Sequence, residues 1–161
     1  MIIGIDPGLS GAVAIIHTNG KITLFDTPTA MIKKGKGTKT DYLPSQMASI
    51  LFDRNQCHIF IEAVHAMPGQ GSVSMFRFGE GYGLWLGIIA ALGLPHTKIT
   101  PQAWKKKIMA GVKDKDASRQ RAQELYPQCV AELSRKKDIG RADALLIAHY
   151  GRTQSEVKSE I

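Results

Sequence analysis

Three short apolar runs open the chain, each closed by a turn signal, and they restrict the fold more than any other feature. Ile2–Asp6, Ala12–Thr18 and Lys21–Asp26 have the length and β-branched content of strands. Pro7-Gly8-Leu9-Ser10-Gly11 separates the first from the second, and the turn dipeptide Asn19-Gly20 separates the second from the third. Strands joined by turns this tight form an antiparallel meander.

The rest of the chain alternates between the two periodicities. A basic, glycine-containing stretch, Lys33-Lys34-Gly35-Lys36-Gly37-Thr38-Lys39, is expected to be an exposed and mobile loop. Tyr42 to Asp53 follows as a helix, with Leu43, Met47, Ile50 and Leu51 at helical spacing. His58 to Val64 returns to strand, and Glu62 stands just past its apolar run Ile59-Phe60-Ile61. A flexible stretch rich in Gly, Ser and aromatics, His65 to Gly83, is expected to lead into an apolar helix ending near Gly93. Pro95 to Ile99 is a fifth short strand, and Thr100-Pro101 opens a helix with a capping hydroxyl followed by Pro at the first helical position. Two more helices are expected, at about Asp116 to Tyr126 and Gly140 to Tyr150. This order predicts an α/β fold, a five-stranded mixed sheet flanked by helices, in one domain spanning 1–161.

Composition narrows the partners. An apolar fraction of 43% fits a globular chain rather than a disordered one, and an excess of seven basic over acidic side chains draws it toward polyanions. Cys57 and Cys129 lie far apart without a CxxC, and His17, His58, His96 and His149 show no ligand spacing, so buried free thiols are expected and a zinc site is not. The longest apolar stretch, Gly83 to Pro95, is short for a membrane span. Met1 leads directly into a strand with no targeting signal before it, which sets the expected address as cytosol or nucleoid.

The chemistry-bearing residues are acids at the ends of core elements. Asp6 ends the first strand, Glu62 the fourth, Asp143 lies in the apolar run Ala142-Asp143-Ala144-Leu145-Leu146-Ile147-Ala148, and Asp138 precedes that helix. Carboxylates so placed suit hard cations such as Mg²⁺, two of which can act together on a scissile phosphate. Each acid also has a plainer reading. Asp6 before Pro-Gly can shape a turn, Glu62 can be an ordinary strand-end charge, Asp143 can favour a helix dipole, and Asp138 can be a helix cap.

Taken in order, these pieces resemble a known family. Ile3-Gly4-Ile5-Asp6-Pro7-Gly8 resembles the opening strand of the RuvC-type Holliday junction resolvases, Ile61-Glu62 their second acid, and the segment around Asp143 their C-terminal acidic helix. Gly81-Tyr82-Gly83-Leu84-Trp85, Arg135-Lys136-Lys137-Asp138 and Gly140-Arg141-Ala142 are especially similar to the chloroplast branch. The resemblance covers nearly the whole chain and implies a ribonuclease H-like fold. It implies a crossover junction endodeoxyribonuclease with Asp6, Glu62, Asp143 and Asp138 holding two Mg²⁺ ions, for which Mn²⁺ would substitute. It departs from the family at the position three or four before the last acid, where Ile139 and Gly140 replace the usual Asp or His. Asp138, five residues ahead, lies about 140° from Asp143 on a continuous helix.

The same resemblance nominates Lys106, Lys115 and Arg119 for phosphate contact. It also points to Met67 and Phe76, in the glycine-rich stretch, for stacking on opened bases. It further implies a homodimer matching the two-fold symmetry of a four-way junction, with a branch-migration helicase as a possible partner. Three other readings compete. Actin-like and sugar-kinase ATPases open on a similar strand-turn but need two lobes, and a non-catalytic DNA-binding module leaves the acids unexplained. A related nuclease acting on RNA or another branched nucleic acid shares the fold.

Overall fold

The computed structural model describes residues 1–65, 69, 71–109 and 116–159, with side chains to 155. Its main sheet has five strands, β1 (Ile2–Asp6), β2 (Ala12–Ile16), β3 (Ile22–Asp26), β6 (His58–Glu62) and β7 (His96–Ile99), in the order β3-β2-β1-β6-β7. β1, β2 and β3 form the antiparallel meander, and β6 and β7 add in parallel beyond β1. The five-stranded mixed sheet of the sequence reading is therefore present.

One element differs in kind from expectation. The basic stretch at 33–39 is not a loop: it is the outer part of a second, two-stranded sheet, β4 (Thr29–Lys34) and β5 (Gly37–Tyr42), paired from Thr29↔Tyr42 out to Lys34↔Gly37. Gly35, at a φ of 61°, takes the left-handed position that a tight hairpin turn requires. Because Tyr42 ends this hairpin, the next helix, α1 (Pro44–Leu51), starts two residues later than its periodicity implied.

The helices pack on both faces. α1 and α2 (Ser72–Ala91) cover one face, burying Met47, Leu51, Trp85 and Ile89 against Ile3, Ile5, Val13, Ile15, Ile59 and Ile61. α3 (Pro101–Ile108), α4 (Ala117–Leu125) and α5 (Ile139–Ser159) cover the other, against Ala12, Ala14, Phe60 and Ile99. α2 begins eleven residues before Gly83, so much of the supposed flexible stretch is helix. Its glycines are tolerated because tertiary burial of Gly81, Trp85 and Ile89 outweighs their weak propensity. α3 opens as its sequence implied, with the Thr100 hydroxyl accepting from the Ala103 amide at 3.2 Å. Short 3₁₀ turns at Pro127–Cys129, Ala131–Leu133 and Lys136–Asp138 join α4 to α5. Cys57 and Cys129 are free and buried. No described helix is long and apolar enough to cross a membrane.

One close approach sets the site. A side chain at Gly4 of β1 would overlap the Ala144 carbonyl and the Ala148 amide of α5, so only glycine lets that helix rest directly on the strand. Ala144 and Ala148 present equally small faces to it, and both are fully buried.

Candidate active site

Strand alternation decides which side the acids face. On β1, Ile3 and Ile5 point toward α1 and α2, so Gly4 and Asp6 point toward α5. On β6, Ile59 and Ile61 point toward α1 and α2, which leaves Phe60 and Glu62 on the α5 side. β1 and β6 run parallel with Ile5 opposite Ile61, so Asp6 and Glu62 come out level at the carboxyl ends of neighbouring strands. Asp143 sits one residue before Ala144, which lies against Gly4. Three elements thus deliver three carboxylates to one end of one sheet face.

Electrostatics records their proximity. Burial pushes the Asp6 carboxyl up to about 7, and the carboxylates of Asp143 and then Glu62 push in the same direction. Burial also raises Glu62 and Asp143, with Asp143 adding to the shift at Glu62. Opposing these shifts, Lys105 of α3 lowers all three, and the Gly8 amide donates to Asp6. Among the described residues no three His, Cys, Asp or Glu side chains stand close enough together to hold a metal ion as they are placed. The acids are near enough to shift one another.

Hydrogen bonds orient the trio. The indole Nε1 of Trp104, a fully buried residue of α3, donates to Glu62 Oε1 at 2.8 Å. The Ser118 hydroxyl of α4 bonds the Asp143 carboxylate. Asp143 Oδ1 is buried with no hydrogen-bond partner among the described atoms. An orphaned carboxylate oxygen beside two further carboxylates is costly as it stands, and an oxygen-preferring divalent cation satisfies it. Oxygen donors of this kind suit a hard divalent cation.

Not every expected residue joins this group. Asp138, the fourth acid, is buried and engaged elsewhere: Arg135 Nη2 donates to its Oδ1 at 2.8 Å and the Arg135 amide to its Oδ2 at 2.8 Å. Those bonds hold its carboxyl below the usual range, and Asp6, Glu62 and Asp143 are not among the groups that shift it. Its cap role at the 3₁₀ turn before α5 accounts for its place, so the structure does not bring it to the trio. Arg119 is likewise occupied, donating to the Ser134 carbonyl at 2.9 Å and pairing with Asp116 at 3.1 Å, with 14% of its side chain exposed. It braces the turns after α4 rather than offering a free guanidinium. Lys106 is exposed, but its neighbour Lys105 is the lysine that all three acids feel. Phe76 projects from the start of α2 with 73% of its surface exposed. Met67 and Lys115 lie outside the described residues.

The sequence reading overlooked Trp104, Ser118 and Lys105 as site residues. Trp104 carried a usable signal, because a buried indole needs an acceptor for its N–H and the acids are the acceptors at hand.

No family model matches this chain. It is similar to the chloroplast Holliday junction resolvase of Chlamydomonas reinhardtii, with 36% identity over 92 residues, 56% of this chain and 10% of that protein. The match thus spans about a tenth of the relative's length. Among solved structures it resembles Thermus thermophilus RuvC in complex with a Holliday junction substrate, with a TM-score of 0.58, 16% identity, and coverage of 91% of this chain and 88% of that one. A second T. thermophilus RuvC structure matches with a TM-score of 0.53 and 17% identity over 95% of this chain and 96% of its own. The yeast mitochondrial Holliday junction resolvase matches with a TM-score of 0.54 and 18% identity over 98% of this chain and 80% of its own. Matching these structures over at least nine-tenths of its length, the chain has the RuvC-like fold.

Proposed function

We propose that this chain is a divalent-metal-dependent endonuclease that resolves four-way DNA junctions, working as a two-fold symmetric homodimer. The observation that carries the reading is the convergence of Asp6, Glu62 and Asp143, from three separate elements, at the carboxyl end of β1 and β6 with Lys105 facing all three. Likeness to a chloroplast resolvase and to RuvC supports a junction as the substrate.

In this reading Asp6, Glu62 and Asp143 hold two Mg²⁺ ions. When bound, the ions polarise the scissile phosphate, ease deprotonation of a water and offset charge on the leaving oxygen. The chain's own groups prepare that site. Trp104 fixes which Glu62 oxygen faces inward, and Ser118 does the same for Asp143, leaving Oδ1 free to ligate. Lys105 favours the ionised form of each acid and places a cation where a phosphodiester must enter. Lys106 and Lys107 on the same helix extend that positive surface. Phe76 is an exposed aromatic suited to stacking on opened bases.

The test compares cutting of a synthetic four-way DNA junction, the matching linear duplex and a structured RNA, each with Mg²⁺, Mn²⁺ or a chelator. Paired, symmetric, metal-dependent nicks in the junction alone are expected. Preferential cutting of RNA would move the substrate class, and cutting in chelator would remove the metal from the account.

A further inference from the structure

The sheet face that carries Glu62 also holds a cavity along its open edge. Strand alternation puts His58, Phe60 and Glu62 of β6 on one side, and the register sets Thr97 of β7 beside Phe60 and Ile99 beside Glu62. β7 is the edge strand of the sheet. The second half of α5 crosses this corner at Gly151, where a Cβ would overlap the Phe60 ring. Between helix and strands a cavity of about 410 Å³ stays open, its lining including His58, Phe60, Thr97, Ile99, Tyr150 and Gln154. Small-ligand sites run from roughly 300 to 1,000 Å³.

The lining has the composition of a binding site rather than of a packing fault, which is apolar and dry. His58 Nε2 and Thr97 Oγ1 are hydrogen-bonded at 2.8 Å, which fixes the imidazole with its ring centre 5.0 Å from that of Phe60. Tyr150 supplies a further ring from α5, and Gln154 follows it by one helical turn. Lys107 Nζ of α3 lies over the Tyr150 ring, 5.6 Å from its centre. No acid lines the cavity, so nothing on its walls repels an anion. Ring faces, a carboxamide with donor and acceptor side by side, a hydroxyl and one cation are therefore gathered at a single concavity.

That combination matches one ligand chemistry. Aromatic faces stack on nucleobases of any sequence. A Gln carboxamide meets the paired donor and acceptor on a base edge, most fully those of adenine. A lysine ammonium suits the attached phosphate. A purely aliphatic ligand would leave the amide and the hydroxyl unpaired, at a cost. We propose that this cavity is a nucleotide-binding site separate from the carboxylates. The base lies against Phe60 and Tyr150, Thr97 and Gln154 bond its edge, and Lys107 takes its phosphate. The ligand is a free mononucleotide or an unpaired nucleotide of a bound strand, since both present the same groups. α3 links this site to the acids, because Trp104 bonds Glu62 and Lys107, three residues on, covers Tyr150.

The test titrates dAMP, adenosine, inorganic phosphate and a short oligodeoxyadenylate into the full chain in chelator, followed by amide chemical shifts. dAMP should bind with a Kd below about 1 mM and move the amides of Thr97, Ile99 and Gln154. Thr97→Trp, at an exposed edge position, fills the cavity and should weaken dAMP by at least about tenfold with native circular dichroism. Lys107→Ala is a second, surface variant that should weaken dAMP severalfold and leave adenosine unchanged. Binding of the oligonucleotide alone, lost in Thr97→Trp, keeps the site and identifies a strand as its source. Binding of dAMP alone identifies the free nucleotide. The proposal is overturned if neither binds, or if a natively folded Thr97→Trp binds both as the wild type does. It is equally overturned if inorganic phosphate displaces dAMP as well as dAMP itself does, because the cavity would then hold only a charge. None of these results bears on junction cutting, which Thr97→Trp should retain.

Discussion

Trp104 Nε1 donates to Glu62 Oε1 at 2.8 Å across 42 residues of sequence, tying the first helix after the sheet to the acid at the end of β6. The bond removes one orientation of the carboxylate from competition, and it opposes the burial that raises the Glu62 carboxyl. Trp104→Phe keeps most of the buried ring and deletes the donor. Outer partners of metal ligands usually matter by about 10- to 100-fold in affinity or rate. The Mg²⁺ concentration for half-maximal cutting should rise by that factor, with junction affinity in chelator little changed. An unaltered Mg²⁺ dependence would reduce Trp104 to packing.

Asp6→Asn, Glu62→Gln and Asp143→Asn should each lower junction cutting by at least about 10³-fold, since each removes a charged oxygen donor from the proposed metal centre. Binding of uncut junction should persist, because phosphate contact is assigned to lysines elsewhere. Asp138→Asn should behave differently. It loosens the Arg135 cap and should cost about 1 kcal/mol of stability, read by thermal melting, with cutting largely retained at a temperature where the variant is folded. Asp138→Asn as inactive as Asp6→Asn would return it to the site.

Asp6, Glu62 and Asp143 were legible because each interrupts an apolar run at the end of a core element, and such a position is expensive without a purpose. Gly4 belongs to the stretch that resembles the family's opening strand, but its physical reason is the helix α5 lying directly on it. The hairpin is hidden in the sequence because Lys33 to Lys39 has loop composition, and the Arg77 contact at its base comes 36 residues beyond Asp41. Arg119 and Asp138 look on paper like free charges, and only packing shows that Ser134 and Arg135 already engage them. Composition reports charge; it does not report who has neutralised it.

Burial of Asp6 predicts a pH signature in the metal-free protein. An acid whose folded-state pKa is raised from 3.8 to about 7 holds its proton more tightly when folded. Unfolding then releases a proton between those values, so stability is greatest below about pH 4 as far as this group is concerned, falls as pH rises, and has lost its full share above pH 7. For Asp6 alone the span corresponds to about 4 kcal/mol. Asp6→Asn should therefore melt higher than wild type at pH 8 in chelator and show a flatter melting profile between pH 5 and 8. Mg²⁺ or Mn²⁺ should raise the wild-type melting temperature at pH 8 and have much less effect on the variant. Identical pH profiles for the two proteins in chelator would show that Asp6 is not desolvated.

Lys105 and Lys106 should separate in kind. Lys105 lowers the pKa of all three acids, so Lys105→Met should shift the acidic limb of the kcat/KM profile to higher pH and reduce cutting by about 10²-fold at neutral pH. Lys106→Met should leave that limb in place and weaken junction binding with a salt slope reduced by about 1. Exchange of the two phenotypes would mean that Lys106, not Lys105, faces the substrate.

The outward face of α2 gives the last prediction, the pairing of two copies. Gly81, Trp85 and Ile89 recur every four residues and are buried against the sheet. Gly79, Gly83 and Gly87 recur at the same spacing, about 200° round the helix from that face, and a Cβ added at any of them meets nothing within 4 Å. From Gly81 to Ala91 the helix contains no charged residue, although a surface helix normally turns polar side chains outward. A flat, uncharged stripe lets a second helix approach closely, and a junction cut on two opposed strands needs two sites related by a two-fold axis. The wild-type protein should therefore scatter light as twice 17.6 kDa at micromolar concentration. Gly87→Arg has room in the single copy and a better helix former than glycine, so its melting temperature should hold or rise. In the pair it places a bulky charge in the contact. It should scatter as a monomer, and on a junction it should give single nicks that no longer arrive in symmetric pairs. A Gly87→Arg protein that remains dimeric and cuts in pairs would place the partner surface on another element.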